Sequence, residues 1–166
     1  PELTYAVVES ASGEPFKYLI IAKELAEKLS ALFENGLTVV AELPGEALAG
    51  STYRHPLAKK DEAFDRVSPI VIGGDYVTTE SGTGLVHTAP GHGQEDFSVG
   101  QREGLPILCP VDERGNFTAE AGSFEGLNVL KTANEVLIEA LTEEKVLLKH
   151  EPYNHKYPYD WRTKKP

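Results

Sequence analysis

One glycine-rich stretch organises the chain: Gly82-Thr83-Gly84-Leu85-Val86-His87-Thr88-Ala89-Pro90-Gly91-His92-Gly93-Gln94-Glu95-Asp96-Phe97. It places four glycines, two histidines and two carboxylates within sixteen residues. Glycine lets a backbone turn sharply or approach a ligand closely, because it has no Cβ and accepts positive φ at little steric cost. Packing alone does not explain this composition, which predicts a functional site.

The pattern around these glycines predicts a loop, a strand, a second loop and a helix. Residues 85–88 are typical of a short buried strand, and residues 94–102 of a helix that ends at Gly104. His87 then leaves the strand, and Asp96 lies in the first helical turn, where the partial positive charge of the helix end favours an ionised carboxylate. This pair is suited to holding an ammonium group. The same residues also allow a simpler interpretation, in which Asp96 only caps its helix and His87 packs in the core.

Two motifs resemble the editing (CP1) domain of isoleucyl-tRNA synthetase, the inserted domain that hydrolyses wrongly charged tRNA. The first motif comprises Gly82-Thr83-Gly84, His87-Thr88-Ala89-Pro90-Gly91-His92-Gly93 and Glu95-Asp96-Phe97. The second is Tyr153-Asn154-His155-Lys156-Tyr157-Pro158-Tyr159-Asp160-Trp161-Arg162, followed by Pro166, and is similar to the strand that returns to the synthetase body. Their order makes the resemblance cover essentially the whole chain. The isoleucyl branch of the family has a histidine at the position that His87 occupies, so the sequence resembles that branch at this residue.

The resemblance implies an α+β fold: a mixed, mainly antiparallel β barrel flanked by helices. Residues 1–166 are identified as a single editing domain, and their number and 40% hydrophobic content suit one globular core. The chain has no methionine and begins at Pro1 directly before a predicted strand, so we expect that it is cut from a larger synthetase. The threonine-rich strand that precedes this position in the family is then missing, and with it half of the pocket.

The resemblance also implies roles for individual residues. Asp96 and His87 are the catalytic pair: Asp96 holds the α-ammonium group of the bound amino acid through a charge-assisted hydrogen bond, and His87 borders the side-chain pocket and helps to set its size limit. The substrate-binding residues shape the pocket against the terminal adenosine and are Gly84, Thr88, Ala89, Gly91, His92 and Gly93. The family positions water with hydroxyl and backbone groups, so no metal is expected.

The implied activity is hydrolytic editing of valine, as valyl-tRNA(Ile) or valyl-adenylate. One methylene in an apolar pocket is worth only about 1–3 kcal/mol, a range for which the selection of isoleucine over valine is itself an established example, so a second sieve is needed. The implied partners are the 3′ end of tRNA(Ile) carrying valine and the remainder of the synthetase chain, with the protein a monomer. No cofactor is expected in this domain, whereas the parent enzyme uses ATP and Mg.

Charge and hydropathy limit the classes of partner. The formal net charge of −10 predicts weak affinity for tRNA by this chain alone, because proteins that bind nucleic acid by their own surface are commonly basic. No apolar run approaches the roughly 18 residues of a membrane span, and no signal peptide is evident. We therefore expect no membrane partner. The expected location is the cytoplasm, as for a bacterial synthetase, with an organelle as the alternative.

Two alternative functions remain open. One is a metal hydrolase that uses His87, His92 and Asp96; the other is a non-catalytic module that binds aminoacyl-tRNA or an amino acid. Two further residues are interpreted as structural. His55 has no carboxylate or second histidine at ligand spacing, and Cys109 lies in an apolar run, where thiols are usually buried and inert.

The remaining sequence predicts a set of shorter elements. Residues 112–115 are typical of a turn, because their oxygen ligands do not match the spacing of a calcium loop. The other predicted elements are a hairpin of residues 3–9 and 16–21, a helix over 22–34, a strand over 37–43, a hairpin of 68–72 and 76–79, a strand that ends at Pro110, a helix from a capping box at 132–135 to about Glu144, and exit strands over 147–161.

Overall fold

A computed structural model describes residues 2–11, 14–152 and 161–162. The closing motif of the sequence therefore lies outside the described residues, apart from Trp161 and Arg162. The described elements, in chain order, are β1 (Thr4–Ser10), β2 (Tyr18–Ala22), α1 (Ala26–Ser30), β3 (Leu37–Pro44), β4 (Thr52–Arg54), β5 (Val67–Pro69), α2 (Gln94–Glu103) and α3 (Ala133–Glu143), with short 3-10 turns at Lys23–Leu25, Gly45–Leu48, Glu62–Phe64 and Ala119–Phe124.

The main sheet is antiparallel, with strand order β2-β1-β3 and β1 at its centre. Side chains of β1 are buried on both faces, because successive residues of a strand point to opposite sides of the sheet. Tyr5 packs with Ala22 and Leu25 on one face, while Ala6 and Val8 pack on the other. The predicted opening hairpin and the predicted third strand are confirmed.

A second core lies between α3 and the 3-10 turn Ala119–Phe124. Leu57, Phe124 and Ala140 are buried there, and Phe64 stacks towards Phe124 with ring centroids 5.7 Å apart. The helix that was predicted from residues 132–135 to about Glu144 is confirmed as α3. Its predicted capping box does not form, because Thr132 already has helical backbone angles and an N-cap side chain needs an extended backbone to reach the first turn.

The predicted barrel is not found among the described residues. They form one three-stranded and one two-stranded antiparallel sheet, and within residues 147–152 the predicted exit strand is absent. The coarser expectation of a mixed fold with mainly antiparallel strands is confirmed. Within the described ranges, no helix is both long and apolar enough to cross a membrane.

The predicted hairpin of residues 68–79 is wrong. Residues 67–69 pair instead with β4, in the register Tyr53 with Ser68. Beyond this pair, the guanidinium of Arg102 in α2 donates hydrogen bonds to the carbonyl oxygens of Ile72 and Gly73, the latter at 3.1 Å. A side chain from a distant helix thus takes the acceptors that a hairpin partner would need.

The predicted helix over residues 22–34 is shorter than expected. It consists of the 3-10 turn Lys23–Leu25 and the adjoining α1, which ends at Ser30. The Ser30 hydroxyl accepts a hydrogen bond of 2.7 Å from the Leu37 amide at the start of β3. The chain must reverse within six residues to enter β3, and Gly36, at φ +68°, supplies the turn. The need to return to the sheet therefore limits the helix.

Candidate functional site

The first glycine loop is fixed to the main sheet. The buried Tyr5 hydroxyl donates a hydrogen bond of 2.6 Å to the Gly84 carbonyl, and the Ala22 amide donates one of 2.8 Å to the Thr83 carbonyl. Gly84 has φ +78°, and a Cβ at this position would lie only 2.4 Å from the Cβ of Ala22. Glycine is required here by both backbone conformation and space.

The segment after this loop is not the predicted buried strand. Residues 85–88 have no regular secondary structure, and Leu85 and Val86 are 41% and 51% exposed. The two hydrogen bonds at Thr83 and Gly84 hold the chain at the sheet, and among the described strands none pairs with residues 85–88. His87 is consequently exposed, so its interpretation as a core histidine is also wrong.

The second glycine loop is held between α2 and the segment around Leu108. A Cβ at Gly91 would lie 2.3 Å from the Leu108 carbonyl oxygen, and one at Gly100 would lie 2.8 Å from the Pro90 ring. Both glycines therefore permit backbone approaches that a side chain would prevent. The loop has a defined position relative to α2.

Helix α2 places Asp96 at this loop. The helix spans Gln94–Glu103 and ends at Gly104, which has left-handed backbone angles, as the sequence predicts. The half-buried Asp96 carboxylate folds back over Gly93, where a Cβ would lie 2.6 Å from its Oδ2 atom. In the part of the chain that the structure describes, this carboxylate makes no hydrogen bond or ion pair. It is available to accept a hydrogen bond from a ligand rather than being used to cap the helix.

The structure brings together only some of the predicted site residues. Ala89, Gly91, His92, Gly93 and Asp96 belong to one loop–helix unit, in which the His92 amide donates a hydrogen bond of 2.8 Å to the Ala89 carbonyl. The half-buried Thr88 leads into this unit, whereas Gly84 lies at the sheet and the exposed His87 on the segment between.

The metal-hydrolase alternative has no support from this geometry. Throughout residues 82–97, no hydrogen bond or ion pair joins Asp96 to His87 or His92. Among the described residues, no group of three or more histidine, cysteine, aspartate or glutamate side chains is arranged to hold a metal ion.

His55 has the structural role that the sequence predicts. Its ring stacks on Phe64 with centroids 5.0 Å apart, and its Nδ1 atom accepts a hydrogen bond of 3.2 Å from the Leu57 amide. Partial burial lowers the pKa of His55, and the positive charges of Arg66 and His87 lower it further. The hydrogen bond that Nδ1 accepts from Leu57 requires the neutral imidazole, because both ring nitrogens of a protonated histidine are donors.

This environment predicts a pH-dependent stability. Because folding lowers the pKa of His55, the unfolded chain binds the His55 proton more tightly than the folded chain does. The stabilising contribution of His55 is therefore complete above the unfolded value near 6.5 and is lost as the pH falls below it. We expect the urea midpoint of the wild type to fall between pH 7 and pH 5, and a His55→Gln variant to show a smaller fall.

The exposed His150 supplies the matched control for this experiment. A His150→Gln variant removes an imidazole that does not contact His55, and it leaves His55 with its neighbours Arg66 and His87. An equal reduction of the pH dependence in both variants would contradict the assignment to His55.

The segment between α2 and the second core differs from its prediction. Cys109 is exposed, not buried, and residues 105–110 form no regular strand, with Ile107 60% exposed. The Leu108 backbone packs against Gly91, while the side chains of Ile107 and Cys109 are exposed. The predicted turn at residues 112–115 is confirmed: Asp112 Oδ1 accepts hydrogen bonds of 2.8 Å from the amides of Arg114 and Asn116.

Two residues that position the site were missed by the sequence interpretation. Tyr5 holds the first glycine loop, and Arg102 holds the segment that leads into it. An aromatic residue in a strand and an arginine in the last turn of a helix are both common, so neither pattern indicates a particular partner.

The whole chain is similar to one segment of isoleucine–tRNA ligases. It is 68% identical over 169 residues to the isoleucine–tRNA ligase of Gloeothece citriformis, covering 100% of this chain and 17% of that protein. It is 68% identical over 167 residues to that of Synechocystis sp., covering 100% of this chain and 16% of that protein. The chain thus spans about one sixth of the length of these curated relatives. No family model matches it.

The fold is similar to that of a known domain. The crystal structure of GlLeuRS-CP1 matches with a TM-score of 0.59 and 15% sequence identity, covering 92% of this chain and 76% of that chain. At this identity the match shows the fold alone. Together with the sequence matches, it confirms the resemblance to the CP1 region of isoleucyl-tRNA synthetases that the two motifs indicated.

Proposed function

We propose that this chain is the editing segment of an isoleucine–tRNA ligase and takes part in hydrolysing valine that is wrongly esterified to tRNA(Ile). The observation that carries the proposal is the Asp96 carboxylate, which has no hydrogen-bond or ion-pair partner in the described part of the chain and lies half-buried over Gly93 at the start of α2. The whole-length similarity to isoleucine–tRNA ligases supports it.

Asp96 binds the α-ammonium group of the esterified amino acid in this proposal. A charge-assisted hydrogen bond to a carboxylate is short and strong, and the half-buried position reduces competition from water. Holding the ammonium group fixes the ester carbonyl relative to the second glycine loop, so the attacking water meets an oriented substrate. The rate then depends on orientation and on stabilisation of the developing oxyanion.

His87 sets the size limit of the side-chain pocket, which admits valine and excludes isoleucine. The exposed position of His87, between two fixed loops, allows it to border a bound side chain.

Contact with tRNA is limited to its aminoacylated 3′ end. The net charge of −10 opposes binding of the polyanionic tRNA body, and other parts of the synthetase would provide those contacts. No cofactor takes part at this site, while ATP and Mg serve the rest of the parent enzyme. The chain is monomeric and cytoplasmic in this proposal.

The test compares deacylation of valyl-tRNA(Ile) and isoleucyl-tRNA(Ile) in EDTA by this chain and by the full-length protein that contains it. We expect the full-length protein to clear the valyl ester and spare the isoleucyl ester, because only valine fits the pocket. Equal hydrolysis of both esters would contradict the size limit. A folded full-length protein that binds valyl-tRNA(Ile) without hydrolysing it would instead identify a non-catalytic module.

A further inference from the structure

A cavity of about 120 Å³ lies beside the second glycine loop, in the second core. One of its walls is Leu108, whose carbonyl oxygen also packs against Gly91. The floor of the cavity is apolar and consists of Leu57, Phe64, Phe117, Phe124 and Leu137. The predicted site residues lie outside this lining, so the cavity is separate from the site around Asp96.

Two groups of opposite charge line the same cavity. Arg66 and Glu120 are both exposed, and in the described ranges neither has an ion-pair partner. His55 forms another part of the wall, and its Nδ1 atom is already occupied by the Leu57 amide. The cavity therefore combines an apolar interior with two exposed groups of opposite charge among its lining residues.

The volume limits what the interior can take. An apolar cavity of about 150 Å³ in another protein binds benzene, and a water molecule occupies roughly 30 Å³ of the liquid. A cavity of about 120 Å³ therefore takes an apolar group slightly smaller than benzene. A branched aliphatic side chain of three or four carbons has this size, whereas a larger ring does not fit.

We propose that this cavity binds a free α-amino acid with a small branched apolar side chain. The side chain enters the apolar floor, the carboxylate pairs with Arg66, and the ammonium group pairs with Glu120. A zwitterion offers both charges that the lining leaves unpaired, whereas a simple amine or carboxylic acid offers only one. The proposal does not rest on the editing function, because none of these residues belongs to the site around Asp96.

Leu108 connects the two sites. A ligand in the cavity would contact Leu108, which is one of its lining residues. The carbonyl oxygen of Leu108 lies close to Gly91 in the second glycine loop. The cavity and the loop that precedes Asp96 are therefore neighbours in the fold.

The test is isothermal titration of this chain with L-valine, with glycine as the ligand that lacks a side chain. We expect saturable binding of valine and much weaker binding of glycine, which keeps both charges but has no side chain to enter the apolar floor. Arg66→Gln and Glu120→Gln should each weaken valine binding at least tenfold. Arg114→Gln, at an exposed arginine elsewhere, should leave the binding unchanged. Circular dichroism confirms that each variant is folded.

Three results would overturn the proposal. The first is the absence of saturable valine binding by the folded chain. The second is loss of binding in Asp96→Asn with retention in Arg66→Gln, which would place valine at the candidate editing site and support that function instead. The third is equal binding of glycine and valine, which would show that the apolar floor is not used.

Discussion

Replacing Asp96 by asparagine is expected to lower kcat/KM for deacylation of valyl-tRNA(Ile) by about 10- to 150-fold in the full-length protein. Asparagine keeps the size and shape of the side chain but removes the charge that we propose binds the α-ammonium group. A hydrogen bond to a charged group contributes about 1.5–3 kcal/mol, and each 1.4 kcal/mol corresponds to a factor of about ten. Deacylation rates over a range of substrate concentrations measure the effect.

Glu95 provides the matched control, since it is a second carboxylate in the same helical turn. Both variants remove one negative charge near the positive end of α2, a loss of about 0.3–1 kcal/mol in helix stability. Only Asp96 lies over the second glycine loop, so Glu95→Gln should keep nearly full deacylation. Charging of tRNA(Ile) with isoleucine should be unchanged in both. A similar loss of deacylation in the two variants would show that general charge, and not an ammonium site, is responsible.

Replacing Gly84 by alanine is expected to lower the free energy of unfolding by about 2–5 kcal/mol. A side chain at positive φ costs about 1–2 kcal/mol, and overpacking of a filled site costs about 1–3 kcal/mol. Both conditions hold, because Gly84 has φ +78° and its added Cβ would lie 2.4 Å from the Cβ of Ala22. Displacing Gly84 would also disturb the buried hydrogen bond from Tyr5. Urea unfolding monitored by circular dichroism measures the change.

Gly82 separates the two contributions. It has φ +73°, but no atom lies within 4 Å of an added Cβ. Gly82→Ala should therefore show only the conformational cost of about 1–2 kcal/mol. Equal destabilisation by the two substitutions would mean that the contact with Ala22 is relieved by movement of the loop. The first glycine loop would then not be rigidly attached to the sheet.

Local sequence signals were sufficient where an element depends on its own residues. The helix that carries Asp96 was predicted from residue 94, and its end was predicted at Gly104, whose left-handed conformation satisfies the last carbonyl groups. The opening hairpin was predicted from strand-forming residues on either side of a short turn. The Asp112 turn was predicted in the same way, since its carboxylate bonds amides two and four residues ahead.

Two of the errors, at residues 85–88 and 68–79, share one cause, which is competition from residues far away in the sequence. Residues 85–88 have the composition of a strand, but hydrogen bonds from Tyr5 and Ala22 hold the preceding loop, and no described strand pairs with residues 85–88. Arg102 takes the carbonyls of the predicted second hairpin. Cys109 lies in an apolar run, yet its side chain is exposed, whereas Leu108 beside it lines the cavity of the second core.

The sequence by itself indicated which stretch carries the candidate site, because the glycines, histidines and carboxylates lie within sixteen consecutive positions. It also determined the ends of α2 and the family resemblance, which depend on local residue types and their order. Only the tertiary structure decided that Asp96 has no polar partner in the described chain, that His87 is exposed, and that Arg66 and Glu120 line one cavity. These properties depend on contacts between residues distant in the chain, and the residues of a local motif do not specify them.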